Sequence, residues 1–552
     1  MADARADECI REQEQLESRR ALWDGHWQEI ADRVRPNLGY FQQRERTEGA
    51  KRNEKIFDST APLALPKFGA AATSLVIPAN QKWHGLCWTD EELNDDPECK
   101  KWAEQVVNIL FKVRYSPKSN FQSQSGEVML DIGAFGTGIL FVDDIPGVRI
   151  NYKSFPLFEC YISEDANGSI DTNHRKFEYT AHQAVAKFGM KRLPEHIKRA
   201  YETDKQQKFE FLHCVMPNPE KIARRKDWRG MDYWSCYIAK EGRTIVDEGG
   251  FRVFPFAIPR YETNSREIYG RSPAMTVLQA IKTLNEQKKT VLRAGQRVVD
   301  PPIMLTDDGS LAAFNVRPNA LNYGYVDANG RPMAIPFQSN ARVDIGLDMM
   351  NAEREAINDG FLVTLFRILV EEPQITATEA MLRAQEKGQL LAPTMGRLQS
   401  DFCGPIIQRE IDILMAAGVL PPMPQKALER GANLRVEYTS PLNLAQRAAD
   451  GVAILNTVQA VTPIAQIKPD VLNVFKWADT VRELAAINGV PAKLMNDDDE
   501  LAAMDEQTAQ AQQAQMLLQA APVAASSVKD LAQAQALAGS APNGQAPAIL
   551  PE

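Results

Sequence analysis

The chain has 552 residues, 44% hydrophobic and 24% charged, with a formal net charge of -9, which is enough for two to four packed units with an ordinary balance of core and surface. No run approaches the roughly 18 uncharged apolar residues of a membrane-spanning helix, and the first twenty residues hold six acids, four bases and no apolar block, so a soluble protein with no membrane partner and no secretory signal is expected. An acidic chain cannot coat DNA through a general basic surface, because such binding draws on neutralised phosphates; any contact with nucleic acid is local or weak.

From Asp7 to Val34 the stripe Ile10, Leu16, Trp23, Trp27, Ile30 and Val34 predicts a helix that Pro36 stops. An Ala-rich helix is predicted over Ser59 to Ser74, then the segment Pro78-Ala-Asn-Gln-Lys-Trp83, then a helix from about Pro97 to Tyr115. Between about 126 and 270 the period shortens toward strands and turns. Gly138 to Asp143, Val148 to Tyr152, Phe209 to Val215, Tyr233 to Ala239 and Thr244 to Asp247 read as extended. The predicted fold class is α+β.

After Tyr269-Gly-Arg-Ser-Pro273, Ser272 can cap and Pro273 can start a helix whose apolar positions, from Val277 to Val298, follow the 3.6 period as far as Asp300-Pro-Pro302. Such a helix runs about 40 Å at 1.5 Å per residue. Short extended pieces fill 303 to 337, with a strong hairpin signal at Asp327-Ala-Asn-Gly330. A second helix carries Val343, Leu347, Met350, Ile357, Phe361 and Leu365 on one face. If the two helices pack on each other, they run antiparallel around the insertion.

The charges on this pair are opposed. Arg271, Lys282, Lys288, Lys289, Arg293 and Arg297 stand against the single acid Glu286, whereas Arg342 to Asp359 has two basic residues and five acids. These are either two solvated faces, or complementary faces that pair between neighbouring copies in a ring, or faces of which one lines a channel. Farther on, Thr376-Ala-Thr-Glu379 forms a capping box for a third helix with kinks at Pro393 and Pro405. Leu434 to Tyr438 reads as extended, Ala445 to Ala486 as helical, and the last 52 residues, with 16 alanines and nine glutamines, as a helix followed by a tail with little to bury.

A search for chemistry finds little. The seven cysteines are scattered, with no pair closer than twelve positions, and the six histidines include no i, i+4 pair, so no zinc or disulfide framework is expected. No phosphate loop of the G-x-x-x-x-G-K-[ST] type and no G-x-S-x-G elbow occurs. Gly133-Ala-Phe-Gly136-Thr-Gly138 is read as a tight turn between core elements, ahead of a nucleotide site. No catalytic residue, metal ligand or cofactor is assigned.

An N-terminal helix with Trp23 and Trp27 leading to Arg35-Pro36, then Pro78 to Trp83, Tyr269 to Pro273, Thr376 to Glu379 and the Ala/Gln-rich end stand in an order that resembles the portal, or head-to-tail connector, family of short-tailed phages, over about residues 8 to 500. The resemblance implies a portal fold. Its parts are an α+β wing (1–270), a stem of two long helices (271–299 and 341–365), a small β-containing clip (300–340) and a tunnel loop (366–375). A long kinked helix with a returning wing strand (376–440) and a helical crown (441–500) follow, and 501–552 is either a barrel helix or a disordered tail. It implies a non-enzymatic subunit of a dodecameric ring at one capsid vertex of the virion, assembled in the host cytoplasm, through which double-stranded DNA is packaged and ejected. The implied partners are the terminase large subunit, major capsid and scaffolding proteins, and tail adaptor and nozzle proteins. Arg367 in the tunnel loop joins Lys282, Lys288, Lys289, Arg293 and Arg297 as a DNA-channel candidate, although Arg367 could equally pair with Glu371 or Glu372. Tyr323, Tyr325, Asn329 and Gly330 are candidates for docking the motor and adaptor, since tyrosine offers a large contact area at low entropic cost. The competing readings are a minor capsid or scaffold-associated protein without a pore and an α+β nucleotide-dependent hydrolase.

Overall fold

The first helix, α1 (Ala4–Val34), turns Ile10, Leu16, Trp27, Ile30 and Val34 of the predicted stripe inward, with Trp23 half-buried and Cys9 buried beside them, and Pro36 opens a 3-10 turn that ends it. The computed structural model describes residues 4–42, 49, 51–145, 149–305, 315, 317, 319–326, 329–337, 343–364, 396–431, 433–438, 451–461, 476–487 and 504. The chain divides into two compact units, Met1–Leu93 with Trp102–Ala449 and Asn94–Lys101 with Asp450–Glu552. In the second, the helical stretch 451–461 meets the helix Trp477–Ile487 where a Cβ on Gly451 would lie 3.1 Å from Ile487 Cγ2.

The chain continues with α2 (Thr60–Val76), β1 (His84–Trp88), α3 (Glu91–Asp95), α4 (Pro97–Arg114) and α5 (Phe121–Phe135). The last corrects the extended reading from 126, because Val128, Met129, Ile132, Ala134 and Phe135 are all buried and a short apolar run bounded by glycine does not distinguish helix from strand. Strands β2 (Leu140–Ile145) and β3 (Arg149–Ser154) pair antiparallel, and β2 also pairs with β9 (Phe256–Ala257).

A five-stranded antiparallel sheet in the order β4-β5-β6-β7-β8 follows, from β4 (Cys160–Glu164), β5 (Ile170–Thr180), β6 (Lys208–Pro217), β7 (Tyr233–Ala239) and β8 (Thr244–Phe251). Alternation divides its side chains between two cores. Phe209 and Phe211 pack under α6 (Ala181–Phe188) and α7 (Glu195–Thr203) with Phe188 and Ile197. Leu212 and Cys214 of β6, with Trp234, Cys236 and Ile238 of β7, face the start of α1 at Ala6, Cys9 and Ile10. The Asn167-Gly168 turn joins β4 to β5, with Asp165 Oδ1 accepting from the amides of Asn167 at 2.8 Å and Ser169 at 2.9 Å.

At Ser272 the expected cap forms, its Oγ accepting from Met275 N at 3.0 Å over the short α8 (Pro273–Thr276). A break at Val277 separates this turn from α9 (Leu278–Val299), 22 residues long. The continuous helix expected from Pro273 is thus shorter, about 33 Å. Strands β10 (Ile303–Leu305) and β11 (Ala334–Pro336) pair antiparallel at the base of the insertion, and α10 (Val343–Gly360) returns. Helix α11 (Gly404–Ala416) is preceded by a π-helical turn, Gln399–Cys403, which is the irregularity that Pro405 predicts. Strand β12 (Leu434–Tyr438) comes back to pair antiparallel with β1.

Candidate functional site

The two long helices are antiparallel and close. A Cβ added to Gly346 would lie 2.7 Å from Val291 Cγ2, and one added to Gly360 would lie 2.2 Å from Val277 Cγ1. Glycine on α10 thus lets a branched side chain of α9 approach the backbone. The inner half of the pair is anchored to the body. Asn285 Oδ1 accepts from Phe57 N at 2.7 Å and Asp58 N at 3.0 Å, and Arg354 Nη2 bonds Asp58 Oδ2 at 2.7 Å. Burial pushes the Asp58 carboxyl up, but hydrogen bonds from Thr60 and Arg354 more than offset this and hold it below the usual range.

Burial fades along the hairpin. Leu278, Ile281, Leu284 and Asn285 are buried near the start of α9, and Met350, Ile357 and Phe361 near the end of α10, whereas Leu292, Val298 and Val299 on α9 and Ile345, Leu347 and Met349 on α10 are exposed. Met304, Leu305, Ile335 and Phe337 at the strand pair are exposed as well. The far half of the hairpin thus presents apolar side chains that the described residues leave exposed.

The sequence-predicted residues distribute unevenly over this hairpin. Lys282 Nζ is tied to Glu29 Oε2 at 2.7 Å, Lys289 lies 3.6 Å from Glu286 Oε1 and over the Phe57 ring, and Lys288 is half-buried. Arg293 and Arg297 are exposed on the outer half of α9. Arg367 and the capping box at Thr376 lie outside the described residues. In the insertion, Val326 bridges Pro332 around the turn at Asn329 and Gly330, where Gly330 takes φ 74°. Tyr323 is 79% exposed, Tyr325 is 6% exposed, and Asn329 and Gly330 are exposed. Sequence reasoning singled out the charges and tyrosines and passed over the exposed apolar set, because an amphipathic stripe looks the same whether a core or another copy covers it.

The two glycine-bearing segments meet. Gly136, at φ 81°, and Gly270 lie back to back, a Cβ on the first falling 2.2 Å from Gly270 O and a Cβ on the second 2.3 Å from Gly136 O. Gly133 packs against Leu65 and Phe68, and Gly138 against Val128. These glycines serve close packing of backbone and side chains; Gly133 to Phe135 are the last residues of α5, so the turn expected over Gly133 to Gly138 is confined to Gly136, Thr137 and Gly138, and a Cβ at Gly136 or Gly138 would meet protein atoms. A groove of about 740 Å³ runs between α2 and α5 past Pro78, Ala79, Asn80 and Gln81. Its carboxylate, Glu127, is bonded to Arg35, and its other lining side chains include no histidine, cysteine or lysine.

The tryptophan-bearing helix has a structural task. Trp27 Nε1 donates to Phe135 O at 3.0 Å, and the Trp27 ring stands edge-on to Tyr269, joining α1, α5 and the segment before α8. Arg20 is buried, with Nη1 donating to Leu157 O at 3.0 Å and Cys160 O at 2.6 Å. Away from these, the fold brings Cys9, Cys214 and Cys236 together in the core under α1, although 205 residues of sequence separate the first two.

An α+β body from which an antiparallel helix pair carries a small strand tip, with uncovered apolar side chains on its outer half, is the build of a structural subunit that joins other copies or other proteins. Residues 6–495 match the model of the family described as bacteriophage head to tail connecting protein. The chain is 29% identical over 524 residues to a probable portal protein of Bordetella phage BPP-1, covering 93% of each chain, and 25% identical over 541 residues to a portal protein of Salmonella phage epsilon15, covering 97% of each. A solved structure titled as the virion of a native gene transfer agent particle shares 12% identity at a TM-score of 0.32, over 78% of this chain and 95% of that one, a likeness too small to weigh. The chain belongs to the bacteriophage head to tail connecting protein family. It is a structural component of the virion, acting where head and tail join.

Proposed function

We propose that this chain is the portal subunit of a tailed phage, forming a closed ring of twelve at one capsid vertex through which double-stranded DNA enters and leaves. The observation that carries this is the uncovered apolar surface on the outer half of α9 and α10. Apolar patches of that kind mark protein interfaces, and a heterologous contact between copies closes into a ring when its rotation divides a full turn. The family membership and the names of the two relatives support the same reading.

In this reading α9 and α10 form the stem, the insertion between them is the clip, and residues 1–270 form the wing. Arg293 and Arg297 are the exposed cations on the described stem, with Lys288 half-buried beside them, while Lys282 and Lys289 are occupied by Glu29 and Glu286; Arg367 remains the tunnel-loop candidate. Few such contacts suit a channel, because a strand held by many phosphate contacts would not slide. Tyr323 is the aromatic side chain that the clip offers outward, with Asn329 and Gly330 at the hairpin turn, while Tyr325 supports them from inside. The terminase large subunit docks there during filling in the host cytoplasm and a tail adaptor afterwards, with scaffolding and major capsid proteins around the wing. The subunit itself is not an enzyme; the motor protein supplies the ATP hydrolysis.

The test replaces residues 303–335 with a short Gly/Ser linker, confirms rings by electron microscopy, and measures binding of the motor ATPase and filling of heads. Intact rings that neither recruit the motor nor fill are the expected result. Rings that recruit it and fill heads at the normal rate would overturn the docking assignment.

A further inference from the structure

Cys9, Cys214 and Cys236 are all buried, and their sulfur atoms lie within 4.8 Å of one another. They come from three elements. Cys214 and Cys236 are directly opposite across the β6–β7 ladder, and His174 of β5 is directly opposite Cys214 on its other side, so the three side chains form one row on one sheet face. Helix α1 lies over that row and lowers Cys9 onto it.

The neighbour in the row sets this cluster apart from three thiols that merely fill a core, as free cysteines often do. His174 has no solvent exposure, and neither ring nitrogen makes a hydrogen bond. The nearest carboxylate oxygen, Glu12 Oε2 one turn along α1 from Cys9, is 3.9 Å from its Nε2. Buried polar atoms are seldom left without a partner, and one so placed beside a sulfur triangle points to a ligand.

We propose that Cys9, Cys214, Cys236 and His174 form a structural site for one zinc ion, or a cation of like softness, that clamps the start of α1 to the five-stranded sheet. In tetrahedral zinc–thiolate sites each sulfur is about 2.3 Å from the metal, which places the sulfurs roughly 3.8 Å apart, so a contraction of under about 1 Å closes the triangle. His174 is the next residue in the row but its ring nitrogens fall outside the 4.8 Å group of the sulfurs, so its side chain must turn toward the triangle for an imidazole nitrogen to take the fourth position. Three S–H protons pass to solvent as three metal–sulfur bonds form, and the imidazole binds neutral. The complex carries one negative charge; the Arg5 guanidinium, one turn before Cys9 on α1, is paired with Glu248 at 2.8 Å.

The test uses the full chain expressed in zinc-supplemented medium, purified without chelator and desalted. Elemental analysis is expected to give one zinc per chain in the wild type and in Cys87→Ser, whose thiol lies on β1, and less than a tenth of that in Cys9→Ser. Cobalt added to chelator-stripped wild type, which needs no variant to fold, is expected to give thiolate-to-cobalt charge-transfer absorption, and chelation to lower the thermal midpoint by several degrees. Wild-type protein that holds less than a tenth of an equivalent of zinc, shows no such band and keeps three free thiols would overturn the proposal. A Cys214–Cys236 disulfide in the protein as purified under reducing conditions would overturn it equally.

Discussion

Arg114 at the end of α4 and Glu410 on α11, 296 residues apart in sequence, form a two-pronged ion pair with neither side chain exposed, Nε to Oε1 at 2.8 Å and Nη2 to Oε2 at 2.5 Å. Tyr152 of β3 donates to the same carboxylate, His84 of β1 meets Arg114 Nη1 at 2.9 Å, and the guanidinium lies over the Trp83 ring. Trp83 and its neighbours are thus part of the joint that holds α4, α11, β1 and β3 in one body.

Breaking that pair from one side leaves a buried charge without compensation. Glu410→Leu and Arg114→Met are each expected to lower unfolding stability by roughly 3–5 kcal/mol, while the two replacements together recover much of the loss. Urea denaturation of the three variants measures this. Additive losses in the double variant would show that the two residues act separately.

Two buried histidines, His84 at this joint and His213 on β6, give the protein an acid limit. A guanidinium N–H can only donate, so His84 Nε2 must present a lone pair and the ring must be neutral. Burial, with the Arg114 charge adding to it, pushes His84 down to about 2, and burial with Lys187 and Arg175 holds His213 well below its ordinary value. Both titrate near 6.5 in the unfolded chain, so the unfolded state binds more protons at low pH. The stability these groups contribute is complete above about 6.5 and falls as pH drops below it, by up to roughly 1.4 kcal/mol per pH unit for each group. Unfolding free energies at a series of pH values should show this slope, and His84→Gln should reduce it.

The helix pair has its own test. Gly346→Leu is expected to cost roughly 1–3 kcal/mol by forcing α10 off Val291, and Val291→Ala in the same chain to recover part of it. A double-mutant cycle read by thermal unfolding gives the coupling. No coupling between the two sites would contradict the close approach.

What the sequence revealed followed how local each cause is. Ser272 and Pro273 mark a helix start through neighbours a few residues away, and the cap forms as read. The same holds for the turn at Gly330 and the end of α1 at Pro36. Strand β5 escaped notice because charged residues interrupt its alternation: Asp171, Arg175 and Lys176 flank His174, and the partners that explain them, Glu159 for Arg175 and Glu17 for Lys176, come from elsewhere. The pairing of β12 with β1 was equally invisible. Gly136 and Gly270 stood out as glycines, but only the fold shows that each is needed by the other. Among site residues, the sequence named the basic side chains of α9 but could not tell Lys282, spent on Glu29, from the exposed Arg293 and Arg297. It gave no sign of the cysteine cluster, since zinc spacings betray themselves only when ligands share a short stretch of chain.

The central claim is that copies of this chain cover one another's exposed stem surfaces in a closed ring. Electron microscopy of the purified full chain, with native mass spectrometry on the same sample, tests it most directly. Rings with a central hole and a mass near twelve times 61.6 kDa, about 740 kDa, are expected, with α9 and α10 of adjacent subunits in contact through Leu292, Leu347 and Met349. Monomers or dimers at micromolar concentration and low salt, with no ring even inside assembled proheads, would contradict it.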